Sequence, residues 1–177
     1  MMLLTASVSA QTAATPVVVG RMSQREVEAI VSSWAGANGA APPSVRSADA
    51  FKHVRKGATV KVFFGTWCDD SKDVVPEFVS LVTLLGAQAP FKVEYVGVDR
   101  DKREPSRDLR SNGVSYLPTF IVMRHGHETG RIVEHAPNDL RDDLLHLLNG
   151  SATGLLSSNE DAIIEYLNGR STAAGRP

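Results

Sequence analysis

Cys68 is the only cysteine in 177 residues, and it sits within Trp67-Cys68-Asp69-Asp70-Ser71-Lys72. A run rich in β-branched and aromatic residues ends just before it and a helical pattern starts just after it. Amide groups at a helix start can therefore point at the sulfur and favour the thiolate, the nucleophilic form. A lone thiol cannot close an internal disulfide. It can attack an external disulfide and remain as a mixed disulfide, or be oxidised to a sulfenic acid, and either product needs a second thiol to release it. The bland alternative is a cysteine that has become a vestige on a scaffold used for binding.

Asp69 and Asp70 pull two ways. As first-turn residues they favour the helix dipole by roughly 0.3 to 1 kcal/mol each. A carboxylate ~6 Å from the sulfur opposes the thiolate by roughly 0.7 to 2.8 kcal/mol at an effective dielectric of 80 to 20. The two aspartates should at least offset the dipole. Ser71 could donate a hydrogen bond to the sulfur and Lys72 could restore positive potential, although both also suit an ordinary helix surface.

The flanking elements follow from periodicity. Ser23-Gln24-Arg25-Glu26 fits a capping box, and Val27, Ile30, Val31 and Trp34 recur at helical spacing, so a helix is expected over 23–35. Gly36 to Ser44 breaks it, and a short helix follows around Ala48 to Arg55. Thr59 to Gly65 and Phe91 to Asp99 read as strands. Between them Val74, Val75, Phe78, Leu81, Val82 and Leu85 mark one helix face, ended by Gly86, with Pro76 expected to kink it. The charged run Arg100 to Arg110 reads as a solvated loop leading into a short helix. Thr119 to Met123 and Gly130 to Glu134 form a hairpin through His125-Gly126-His127-Glu128, and Asp139 to Leu148 is a closing helix with Leu140, Leu144, Leu147 and Leu148 inward. Ser157-Ser158-Asn159-Glu160 caps a further short helix carrying Ile163, Ile164 and Leu167.

These features are those of a known family. Phe63-Phe64-Gly65-Thr66-Trp67-Cys68-Asp69-Asp70-Ser71-Lys72 followed by Pro76 resembles the thioredoxin active-site segment, and Leu117-Pro118-Thr119 resembles that family's cis-proline loop. Element order matches over roughly residues 45 to 148. Within the family, the chain is similar to a bacterial group with Trp-Cys-x-x-Ser segments. The resemblance implies an α/β thioredoxin fold: a central mixed sheet with helices on both faces and short N- and C-terminal helical extensions. It also implies that Trp67, Leu117 and Pro118 meet an extended peptide beside Cys68, in the manner of β-strand addition. Three departures matter. Ser71 replaces the second cysteine, and the family's buried acid and its lysine partner fall by offset at Val62 and near Tyr95. Unaided dithiol cycling is thereby excluded.

Two functions follow. One is monothiol thiol-disulfide exchange through Cys68, with Ser71 assisting, glutathione or a partner thioredoxin as external thiol, and a protein disulfide as substrate. The other is a non-enzymatic binding module for extended polypeptides. No cofactor is expected. His125 and His127 lack a third ligand nearby and read as solvated turn residues, so no metal is expected either. His53, His135 and His146 are scattered.

Composition bounds the rest. With 42% hydrophobic and 22% charged residues and a net charge of -1, one domain over 21–149 is the default. No basic stripe argues for nucleic acid, and no apolar stretch approaches the ~20 residues of a membrane span. Residues 1–20 read as a truncated secretory signal, with Val8 and Ala10 placed like a cleavage site, or as an unfolded N-terminus. The first reading puts the protein in the periplasm or outside the cell, the second in the cytoplasm. Residues 150–177 are a C-terminal extension.

Overall fold

Alternate residues of one central strand face opposite ways, and this sets the layering. The computed structural model describes residues 16–34 and 48–151, with Glu165 and Asn168. Strand β2 (Ala58–Phe64) sends Val60, Val62 and Phe64 into one apolar cluster and Phe63 into another. Successive side chains of a strand point to opposite faces, so β2 must be covered twice. Around it the sheet order is β1-β3-β2-β4-β5, built from β1 (Gly20–Met22), β3 (Phe91–Gly97), β4 (Thr119–Arg124) and β5 (His127–Val133). β2 and β3 run parallel and every other pair is antiparallel. This is the mixed sheet expected from the resemblance.

The larger cluster lies under helices α1 (Gln24–Trp34), α2 (Asp69–Leu85) and α4 (Leu140–Leu148). Their inward residues include Val27 and Trp34, Val75, Phe78 and Leu81, and Leu140, Leu144, Leu147 and Leu148, all buried. Phe78 is central, packed against Phe91, Tyr95 and Phe120 with ring centroids 6.3, 6.2 and 5.3 Å away. The opposite face is covered by α3 (Ser106–Asn112) through Leu109, together with Val114 and Leu117.

The capping box forms: Ser23 N donates to Glu26 Oε2 at 2.7 Å and Glu26 N to Ser23 Oγ at 3.4 Å. At the start of α4, Asp139 accepts from the backbone N–H of Arg141 and Asp142. Helix α2 runs through Pro76 to Leu85, with Gly86 closing it onto Val82 O. The segment expected as a short helix before β2 is helical at Ala48 and Asp49 and tightens into a 3-10 turn over Ala50–His53.

The hairpin is tighter than expected, and one strand was not expected at all. The hairpin turn is only His125-Gly126, with φ of 52° and 81°, and His127 and Glu128 already belong to β5. Two successive positive φ values match the twist of the flanking strands, which is why two residues suffice. Strand β1 is new: Gly20, Arg21 and Met22 pair antiparallel with Gly97, Val96 and Tyr95. The break at Gly36 to Ser44, the leader-like residues 1–11 and the helix expected around Ile163, Ile164 and Leu167 lie outside the described residues. No helix among the described residues is long and apolar enough to cross a membrane.

Candidate thiol site

Cys68 is the N-cap of α2, with extended backbone (φ -87°, ψ 126°) and no side-chain cap bond of its own. Its backbone carbonyl accepts from Lys72 N at 3.1 Å, and its N–H donates to Gly65 O at 3.1 Å. This tight turn between β2 and α2 leaves the side chain half-buried. The sulfhydryl donates to Leu117 O at 3.5 Å. The Leu117–Pro118 bond is cis, and Pro118 O accepts from Glu134 N at 2.7 Å. Helix start, proline loop and the end of β5 thus converge on one place.

Trp67 is fixed from below. Its indole Nε1 donates to Val98 O at 2.9 Å, and its ring lies on Gly65, where an added Cβ would come within 2.8 Å of the indole. Glycine is required there by close approach. The inner side of Cys68 and Trp67 packs on the smaller apolar cluster, which includes Phe63, Val98 and Leu117.

The acids flanking the thiol are turned to an ammonium and an imidazole. Asp69, 92% exposed, reaches Lys72 Nζ at 2.7 Å, and that hydrogen bond and charge hold its carboxyl below the usual range. Asp70 Oδ1 lies 3.9 Å from His135 Nε2. Ser71 is fully buried, and its Oγ accepts from Gly65 N at 3.2 Å, bracing the turn. Trp67, Cys68, Leu117 and Pro118 are therefore brought together, with Asp69, Asp70 and Lys72 on the helix start beside them and Ser71 beneath.

Sequence reasoning missed three participants. Thr66 is fully buried, and its hydroxyl donates to Pro16 O at 2.7 Å and accepts from Val18 N at 3.4 Å, clasping the chain before β1 to the cysteine turn. A Cβ on Gly97 would collide with Val18 O on the same path. His135 seemed scattered but stands beside Asp70. Arg100 seemed a solvated loop residue, yet its guanidinium carbon lies 5.8 Å from the centroid of the Trp67 ring. Short loops that fold back are not encoded in periodicity, so these neighbours carry no local signal.

Val62 and Tyr95 occupy paired positions on β2 and β3. Both are buried, and the Tyr95 hydroxyl donates to Gln24 Oε1 at 2.8 Å. No cluster of three or more metal-ligating side chains occurs among the described residues.

Comparison with known proteins bears on the family. The family model described as Thioredoxin matches residues 44–146. A thioredoxin of Malassezia sympodialis is 31% identical over 99 residues, covering 55% of this chain and 90% of that protein. Among solved structures, thioredoxin f2 of Chlamydomonas reinhardtii is 21% identical with a TM-score of 0.39, over 59% of this chain and 87% of that one. A Pseudomonas aeruginosa protein of unknown function is 16% identical with a TM-score of 0.43, over 79% and 84%.

Proposed function

This chain belongs to the thioredoxin family, and from that premise we propose that it performs monothiol exchange through Cys68. The observation that carries this reading is the sulfur, half-buried at the start of α2 and 3.5 Å from Leu117 O. In the exchange, the Cys68 thiolate attacks one sulfur of a substrate disulfide. A new S–S bond joins Cys68 to that sulfur as the old one breaks. The other sulfur leaves as a thiolate and takes a proton from solvent, with no net gain or loss of electrons. An external thiol, glutathione or a partner thioredoxin, then attacks the mixed disulfide and frees Cys68.

Ser71 cannot perform that second step, having no sulfur. Its role in this reading is to brace the Gly65–Cys68 turn. Trp67, half-buried, faces the substrate chain in this reading, and Leu117 and Pro118, both buried, shape the backbone behind it.

A second reading, binding of extended polypeptides without exchange, uses the same surface and leaves Cys68 idle. The test is intact-mass analysis after incubation with oxidised glutathione, on wild type and Cys68→Ala. A glutathione adduct on the wild type alone supports exchange. No adduct on the wild type under conditions that modify an exposed model thiol would defeat it in favour of the binding module.

A further inference from the structure

In the loop after β3 two acids and two bases are held in different ways, while Asp101 and Arg103 stand exposed among them. It reads Asp99-Arg100-Asp101-Lys102-Arg103-Glu104, and two of its acids are turned onto backbone. Asp99 Oδ1 accepts from Arg103 N at 2.7 Å and Glu104 N at 2.9 Å, and Glu104 Oε2 accepts from Ser106 N at 2.8 Å. The bond from Glu104 N leads the causes that keep the Asp99 carboxyl below its ordinary range. Backbone bonds from Asp99 N to Glu104 O and from Lys102 N to Asp99 O close the loop on itself.

Two of the bases are turned onto aromatic faces instead. Arg100 lies over Trp67 at 5.8 Å, and Lys102 Nζ lies 5.6 Å from the centroid of Tyr116. Both distances fall within the reach of a cation–π contact. Lys102 has a φ of 54°, a left-handed conformation that is strained for a residue with a side chain. The closed loop imposes that conformation.

The two rings are the immediate chain neighbours of the reacting groups: Trp67 precedes Cys68, and Tyr116 precedes Leu117, whose carbonyl meets the sulfur. Among the described residues, neither Arg100 nor Lys102 has a carboxylate within ion-pair distance. An open hollow of about 580 Å³ continues from Lys102 past Arg103 to Arg110, and its one acidic lining residue is Glu104, whose carboxylate caps Ser106. Asp69 and Asp70, the acids nearest the thiol, already face Lys72 and His135.

We infer that the Arg100–Lys102 rim is a specificity element, selecting polypeptide disulfides whose reactive cysteine is flanked by Asp or Glu. This rests on exchange at Cys68. Arg100 and Lys102 do not touch the reacting sulfurs; they attract and orient the flanking chain, so their effect appears in the rate of encounter and falls with salt.

The experiment uses short peptides with one cysteine activated as its 2-pyridyl disulfide and flanked by Glu, Ser or Lys. Attack by Cys68 joins it to the peptide sulfur and expels neutral pyridine-2-thione, whose absorbance gives the rate. In low salt the wild type should react about 5-fold faster with the Glu peptide than with the Lys peptide, a ratio that 0.5 M NaCl brings close to one. In Arg100→Gln/Lys102→Gln the ratio should fall to about one at low salt, and in Arg100→Lys/Lys102→Arg it should persist. Equal rates for Glu and Lys peptides in the wild type, or an unchanged ratio in the double Gln variant, would overturn the rim. Failure to react with any of the peptides would instead overturn exchange at Cys68 itself.

Discussion

The Cys68 sulfhydryl and the Leu117 carbonyl oxygen are 3.5 Å apart, so the chain's one thiol and the backbone before Pro118 form a single site. On the proposed reading a substrate disulfide is attacked there, and with one cysteine in the sequence nothing in the chain can complete a second transfer. Purified protein should therefore give negligible catalysis of insulin reduction by dithiothreitol compared with a dithiol thioredoxin. Turbidity traces that match those of a dithiol thioredoxin would refute this.

The two aspartates should not weigh equally on the thiol. Asp69 points to solvent and is held by Lys72 at 2.7 Å, whereas Asp70 is less exposed and meets His135 only at 3.9 Å. Asp70→Asn should raise the rate of Cys68 alkylation by iodoacetamide at pH 7 about 2- to 5-fold, and Asp69→Asn should raise it less. The double Asn variant should be the fastest, and 0.5 M salt should compress the series. A rate unmoved by both changes would mean that amide dipoles alone govern the sulfur.

Arg131 is a buried cation with a full set of partners. It reaches Glu128 through Nε at 2.7 Å and Nη2 at 2.8 Å, and it donates to Asn112 O and Gly113 O where α3 ends. Arg131→Ala removes a buried, fully bonded cation together with its bonds to Glu128 and to two backbone carbonyls, so it should lose about 3–5 kcal/mol in urea unfolding. Arg131→Met, which keeps much of the side-chain volume, should lose less.

At the start of α4, Asp139→Ala should cost about 1 kcal/mol of stability while Asp139→Asn, which can still accept from Arg141 N, should cost less. Burial raises the Asp139 carboxyl, but bonds from Arg141 and Asp142 outweigh it and leave the group lowered. A group lowered in the folded state stabilises fully above its unfolded value near 3.8 and loses that contribution as pH falls through its native value. The gap between wild type and Asp139→Ala in thermal unfolding should accordingly be constant from pH 5 to 7 and narrow below about pH 4.

Much of this molecule is legible before any coordinates. The alternation of Val60, Val62 and Phe64 against Phe63 marks a strand buried on both faces, and the Ser23–Glu26 box marks a helix start, because both signals are local. Cys68 stands out from its place between a strand and a helix, whereas Trp67 and Pro118 stand out only through the resemblance to the thioredoxin segments. What escaped is non-local. Gly20–Met22 is too short to alternate, and its pairing depends on Gly97 and on a clasp from Thr66 to Pro16. The Glu128–Arg131 pair is invisible in the alternation, because residues three apart face opposite ways in a regular strand and these two meet across the register shift opposite Val122 and Met123. Arg100 belongs to a charged run that reads as solvated until the loop closes and lays it on Trp67.

The pairing of Val62 with Tyr95 reaches beyond packing, because neither position carries a carboxylate or an amine. Beneath the sulfur lies an apolar floor that includes Phe63, Val98 and Leu117. On the other face of the sheet, the Tyr95 phenol is held well above its ordinary range, chiefly by burial, and is tied to Gln24. In the exchange proposed above, these two positions therefore offer no buried acid or base, and the step draws on the buffer and the thiols around the site.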